Sequence, residues 1–210
     1  MLCSGKRGQN RKMKMADRIF QIRGATIPRM VGRTVLLQRL ISSLTKPTPD
    51  HLQVVGPRFG GKSVLLQALA EQLRRNGSYQ SIAVWDLGHQ TPDSNESFMR
   101  VLRDKAVDAL AATHSGYADY IRSANGNPYK ELAEVFDELK QQSIKVLMLW
   151  DGFDKPLAGG KLTRTLWDQL RELASRPSLR LVTASRRRLT ALTVCIELAA
   201  MLERELPKIN

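Results

Sequence analysis

Apolar positions along this chain follow two rhythms. Short, almost continuous apolar runs occur at "HLQVV" (51–55), "SIAVWDL" (81–87), "IKVLMLWD" (144–151) and "SLRLVTAS" (178–185), and each reads as a strand. Between them, apolar residues recur three and four apart, the period of an amphipathic helix. From Val31, the residues Val35, Leu36, Leu40, Ile41 and Leu44 fall on one helix face, and "TKPTPD" with its two prolines stops that helix. Residues 63–75 predict a second helix, closed by Asn76-Gly77. A long helical region spans about 97–124 with an interruption at Ser115-Gly116, and further helices span 129–142 and 162–174. "GFDKPLAGG" after the third strand reads as a loop. Beyond Arg188 the pattern is ambiguous: composition is helical from Ile196, yet "LTVCIEL" also fits a short fifth strand. Strands apolar on both faces and separated by helices predict an α/β fold with a parallel sheet and right-handed crossovers.

Length and charge add bounds. A chain of 210 residues suits one domain with a substantial core. No apolar run approaches the roughly 18 residues of a membrane span, and no apolar stretch follows the basic N-terminus as in a secretory signal. Cys3 and Cys195 give no disulfide framework, which fits a reduced, cytoplasmic compartment. The net charge of +13 is concentrated: residues 1–33 hold nine Lys/Arg against one acid, and residues 171–188 hold six Arg against one acid. Both segments would attract a polyanion such as DNA; the alternative is charge that keeps the chain soluble. Residues 1–26 read as a basic segment without fixed structure, and 27–210 as the domain.

One loop carries the chemistry. Gly56-Pro57-Arg58-Phe59-Gly60-Gly61-Lys62-Ser63 matches G-x-x-x-x-G-K-[ST], with a strand before it and a helix after it. Glycines let successive amides turn inward around a phosphate, and the helix N-terminus adds its free N–H groups and dipole. In this arrangement Lys62 reaches the β- and γ-phosphates, and the Ser63 hydroxyl ligates Mg2+. The expectation is a nucleoside triphosphate site.

Such a site needs a second anchor for the metal and a group that positions water. Asp151 ends an apolar strand, where open α/β sheets place their ligands, and is the candidate metal residue. Asp154 either orients or deprotonates the attacking water, or serves a turn. The fourth strand ends in "TASR", so Ser185 and Arg186 can approach the γ-phosphate, with Arg186 detecting or stabilising its charge; the alternative places Arg186 in a surface basic cluster. Asp86 and His89 lie on the same edge and read as a turn. His51, His89 and His114 lack metal-ligand spacing, and Trp85, Trp150 and Trp167 read as packing residues.

In these residues the chain resembles the ATPase module of the AAA+ and STAND groups of P-loop NTPases, most closely the origin-recognition-like and STAND ATPases of bacteria and archaea. The likeness spans roughly 27–188 and rests on four stretches: "MVGRTVLLQRL", the Walker A "GPRFGGKS", the Walker B "VLMLWDGFD", and "LVTASR", similar to a sensor 1 strand. It implies a three-layer α/β/α domain with sheet order 5-1-4-3-2. It implies ATP rather than GTP, with Val31 and Gly32 near the adenine, Lys62 and Ser63 on phosphate and Mg2+, Asp151 on the metal and Arg186 on the γ-phosphate. Many relatives carry an acid directly after the metal-binding Asp, where this chain has Gly152, and here Lys155 follows Asp154, which implies slow or conditional hydrolysis. Relatives also continue into a helical lid with a second sensor arginine, while this chain ends at Asn210, so the expectation is a missing lid or a fragment. Three functions fit: an ATP-driven switch acting on itself or a partner, a DNA-associated ATPase, and a nucleotide-binding interaction module with little turnover.

Overall fold

A computed structural model of the chain describes residues 30–191. Four strands form one parallel sheet in the order β1-β4-β3-β2: β1 (Leu52–Val55), β2 (Ser81–Asp86), β3 (Val146–Asp151) and β4 (Leu179–Ser185). This is the expected order as far as the described residues reach. Connections from β2 to β3 to β4 step one way across the sheet, whereas the connection from β1 to β2 steps the other way. Right-handed crossovers therefore send the intervening helices to opposite faces.

Packing follows that rule. Helices α1 (Thr34–Leu44) and α2 (Lys62–Arg75) cover one face, where Leu65, Leu69 and Leu73 meet Val54, Leu147, Leu149 and Val182. Helices α3 (Asn95–Ala111), α4 (Ser115–Ser123), α5 (Pro128–Gln141) and α7 (Arg164–Ala174) cover the other, against Val146, Met148, Trp150 and Leu181. Successive residues of β3 thus point to opposite cores, as the pleat requires, and its run "VLMLW" is apolar because neither face sees water. Behind the end of β3, Trp85, Trp150, Trp167, Phe98 and Phe153 form one aromatic cluster with ring centroids 4.8–6.2 Å apart.

Local signals set most boundaries. Ser94 and Ser97 form a reciprocal capping box at the start of α3, and Asn127 caps α5 with Pro128 in its first turn. The expected helical region 97–124 is two helices, parted after Ala111 where the amides of Thr113 and His114 both donate to the Leu110 carbonyl. In α1 the core face is Leu37, Leu40 and Leu44; Val35 is 68% exposed, and Leu36 and Ile41 are half-buried, so the face is rotated from the expected one. The expected loop after β3 contains a short helix, α6 (Asp154–Ala158), and a 3-10 turn follows β4 at Leu189–Ala191. The ambiguous stretch beyond residue 191, with its strand-or-helix alternative and Cys195, lies outside the described residues, as does the basic segment 1–26. Among the described residues, no helix is long and apolar enough to cross a membrane.

Candidate functional site

Strand register brings the expected site residues to one edge. Asp86 pairs with Asp151, Asp151 with Ala184, and Ala184 with Val54, a row across the carboxyl ends of all four strands. Gly56 and Arg186 are the first residues beyond the β1–β4 ladder, and the Gly56 amide donates to the Ser185 carbonyl at 3.2 Å. The glycine-rich loop and the arginine thus leave adjacent strands side by side. The strand order reverses here, and open α/β sheets place ligands in the crevice at such points.

The loop's shape follows from its glycines. Gly60 donates its amide to the Pro57 carbonyl at 3.1 Å, and a Cβ on Gly60 would lie 2.9 Å from that oxygen, so a side chain does not fit. Gly61 caps α2 with φ 71°, and Phe59 also has φ 63°, an uncommon value for an aromatic residue. Left-handed residues on either side of Gly60 bend the backbone as in anion-binding concavities. The side chains of Arg58 and Phe59 stack on each other, guanidinium to ring centroid 5.0 Å, and Phe59 is 78% exposed.

Lys62, Ser63, Asp151, Asp154 and Arg186 are all hydrogen-bonded within the protein. Lys62, buried at the start of α2, donates from Nζ to the carbonyls of Gly56 and Pro57, both at 2.9 Å. Burial lowers its pKa below the usual lysine value; the Asp151 and Asp154 carboxylates oppose that, and Arg186 and Arg33 add to it. Ser63 Oγ donates to Asp151 Oδ2. Asp154 is buried and accepts from Arg186 twice, Nε to Oδ2 at 2.7 Å and the backbone amide to Oδ1 at 3.3 Å. The N-cap of α6 is Phe153, and Asp154 is the first residue of that helix.

Other expected residues divide. Gly32, with φ 75°, and Val31, 74% exposed, form the turn before α1. Arg33 ties that turn to the loop through a hydrogen bond from Nη1 to the Gly60 carbonyl. Sequence reasoning missed this contact; the available signal was a cation directly after the glycine. Ser185 does not face the crevice: it is fully buried, accepts from Gln53 Nε2 at 3.0 Å and donates to the Arg187 carbonyl at 2.6 Å. Asp86 makes the expected turn, accepting from the His89 amide at 3.1 Å with His89 Nδ1 2.6 Å from its other oxygen.

The basic segment 171–188 is not one patch. Arg176 bonds Asp137 and Glu172, and Arg180 bonds the carbonyls of Arg176 and Leu179 near the start of β4. Arg186, Arg187 and Arg188 lie at the other end of that strand, exposed at the site's edge.

No family profile and no curated protein matches the sequence. Solved structures do match. Cdc6p from Pyrobaculum aerophilum aligns with a TM-score of 0.56 at 14% identity, over 86% of this chain and 46% of that one. The ORC2 protein of Aeropyrum pernix, in ADPNP–ADP complexes, aligns with a TM-score of 0.58 at 12% identity, over 83% of this chain and 47% of that one. The ORC1 protein of Aeropyrum pernix, in complex with DNA, aligns with a TM-score of 0.57 at 14% identity, over 85% and 45%. The chain spans about half the length of these proteins. Sheet order, glycine-rich loop and superposition agree, and the chain has the fold of the origin-recognition-like AAA+ ATPases.

Proposed function

We propose that this chain binds ATP with Mg2+ and hydrolyses the β–γ phosphoanhydride, acting as a switch whose nucleotide state controls association with itself or a partner. The observation that carries the reading is the state of Lys62. A buried ammonium rests on two carbonyls of its own loop, desolvated and, among the described residues, without a direct bond to a carboxylate, at the mouth of a backbone concavity. A triphosphate supplies the anionic oxygens that such an ammonium lacks.

The donor set suits Mg2+. Ser63 Oγ and Asp151 Oδ2 are hard oxygen donors already in contact, one on the loop's helix and one on the neighbouring strand end. A bound ion there would bridge phosphate oxygens and offset developing charge. Amides of Gly61, Lys62 and Ser63 would hold the β-phosphate, Arg58 and Phe59 would flank it, and the exposed Val31–Gly32 turn would receive the base. ATP is favoured over GTP because the chain lacks an Asn-Lys-x-Asp motif.

Titration calorimetry with Mg-ATP tests the reading. Wild type should bind, and Lys62→Ala should bind roughly tenfold or more weakly, the cost of one hydrogen bond to a charged group. Undiminished binding by Lys62→Ala removes the proposal.

A second reading, a DNA-associated ATPase, draws on the exposed Arg187 and Arg188 beside the site and on the matched ORC1 protein, which is in complex with DNA. It requires DNA binding that weakens with salt and weakens further in an Arg187→Ala/Arg188→Ala variant. Binding absent at low ionic strength rules it out.

A further inference from the structure

We infer that Asp154 is the positioning residue for Arg186 and does not act as the base toward water; this rests on the triphosphate reading above. The geometry of the pair separates the two roles. A water-activating carboxylate needs an oxygen directed at the water. Both oxygens of Asp154 are instead committed to Arg186, Oδ2 to Nε at 2.7 Å and Oδ1 to the backbone amide at 3.3 Å. The carboxylate is 7% exposed while the arginine is 53% exposed, so Asp154 is enclosed and Arg186 reaches outward.

The edge of the guanidinium that is gripped matters. Asp154 holds Nε, and among the described residues no hydrogen bond is recorded for Nη1 or Nη2. Those two amino groups form the outer end of a planar fork whose inner end is fixed. Arg186 starts beside Gly56, one residue past the β1–β4 ladder, so the fork is aimed from the strand edge where the loop begins. A carboxylate behind and a phosphate in front can engage one guanidinium together. The arrangement makes Arg186 a detector of the γ-phosphate whose orientation, and not only whose charge, comes from Asp154. Lysine could not replace it, because a single ammonium has no second edge.

The neighbouring acid position does not supply the missing base. Gly152 occupies it, and Lys155, the next cation, donates from Nζ to the Gly88 carbonyl. Among the described residues of this loop, Asp151 and Asp154 are the carboxylates, and each is engaged, one by Ser63 and one by Arg186.

Affinities of full-length wild type, Asp154→Ala, Asp154→Asn, Arg186→Ala, Arg186→Lys and Asp154→Ala/Arg186→Ala for Mg-ATP and Mg-ADP test the inference, with melting temperatures as a folding control. Positioning predicts that the preference for ATP over ADP falls roughly tenfold or more in Arg186→Ala and Arg186→Lys. Asp154→Ala should share much of that loss, ADP affinity should stay within about twofold, and the double variant should be no worse than Arg186→Ala alone. A base predicts the reverse: Asp154→Ala keeps the full ATP preference, and single-turnover hydrolysis collapses on both the wild-type and Arg186→Ala backgrounds. That result overturns the inference while leaving the triphosphate site intact. If Asp154→Ala fails to fold, Asp154→Asn, which retains shape and one acceptor, decides between the same outcomes. Wild type that binds neither nucleotide overturns the site reading and the inference together.

Discussion

Ser63 donates its hydroxyl hydrogen to Asp151 Oδ2, joining the first turn of α2 to the end of β3 across 88 residues of sequence. On the proposed reading both oxygens would ligate Mg2+, and the hydrogen bond holds the two together. Replacement of Asp151 by Asn preserves an acceptor for Ser63 and removes the charge. Nucleotide affinity of Asp151→Asn should therefore lose its dependence on Mg2+, falling roughly 10–100-fold at millimolar Mg2+ while matching wild type in EDTA. Calorimetric titrations at both metal concentrations measure this. A variant that keeps the wild-type Mg2+ dependence would place the ion elsewhere.

Lys62 predicts a proton linked to binding. Its folded pKa is lowered from 10.5, chiefly by burial, so the folded ligand-free protein holds this proton less tightly than the unfolded chain does. Between the lowered value and 10.5 the unfolded state binds more protons, and ligand-free stability rises with pH across that window. On the proposed reading, phosphate oxygens beside the ammonium would restore the proton. Binding of Mg-ATP should then take up a fraction of a proton at alkaline pH, and affinity should fall as pH rises through the window. Titrations in buffers of different ionisation enthalpy report the uptake directly. Lys62→Met should abolish it; equal uptake by that variant would assign the proton to another group.

The strands and the glycine-rich loop are legible in the sequence because their signals are local. An apolar run such as "VLMLW" records burial on both faces, and the spacing from Gly56 to Ser63 records a backbone path. The face of α1 is not legible, because residues 35–37 and 40–41 offer overlapping apolar stripes and only packing against α2 chooses Leu37 over Val35. Helix α6 spans five residues, too short for a periodic pattern. Contacts that cross the chain are hidden for the same reason. The link from Arg186 to Asp154 joins residues 32 apart, and that from Arg33 to Gly60 joins residues 27 apart, with no local pattern marking either. Residue types at the site could be read; which of them hold one another could not.

His51 predicts acid sensitivity away from the site. It is buried, its Nε2 donates to the Ala174 carbonyl at 2.8 Å, and its Nδ1 accepts from the Leu181 amide at 3.0 Å. The bond from the Leu181 amide requires an unprotonated Nδ1, whereas the bond to Ala174 survives protonation and favours the charged ring; burial outweighs it and pushes the pKa from 6.5 down to about 4. A histidine held neutral contributes stability that is complete above 6.5 and is lost as pH falls toward 4. At about 1.4 kcal/mol per unit the loss is on the order of 3 kcal/mol. Urea unfolding at pH 7 and pH 4 should show wild type losing about that much more than His51→Gln, which does not titrate. Parallel losses in the two proteins would assign the acid sensitivity to carboxylates instead.

Gly152 predicts that a carboxylate cannot simply be added beside Asp151. The residue has φ 69°, and a Cβ there would lie 2.8 Å from the Gly88 amide nitrogen and 2.9 Å from the Gly88 Cα. Both obstacles are backbone, so neither a rotamer change nor a side-chain shift removes them. A left-handed conformation costs a non-glycine residue about 1–3 kcal/mol, and separation of the two loops adds to that. Gly152→Ala should lower the melting temperature by at least roughly 2–4 °C, and Gly152→Glu by at least as much. Single-turnover hydrolysis by Gly152→Glu should not exceed that of wild type, because the displaced loop carries Asp151 out of register with Ser63. A Gly152→Glu variant that hydrolyses ATP faster at an unchanged melting temperature would show that the contact with Gly88 yields freely, and the absence of an acid at this position would then have no steric cause.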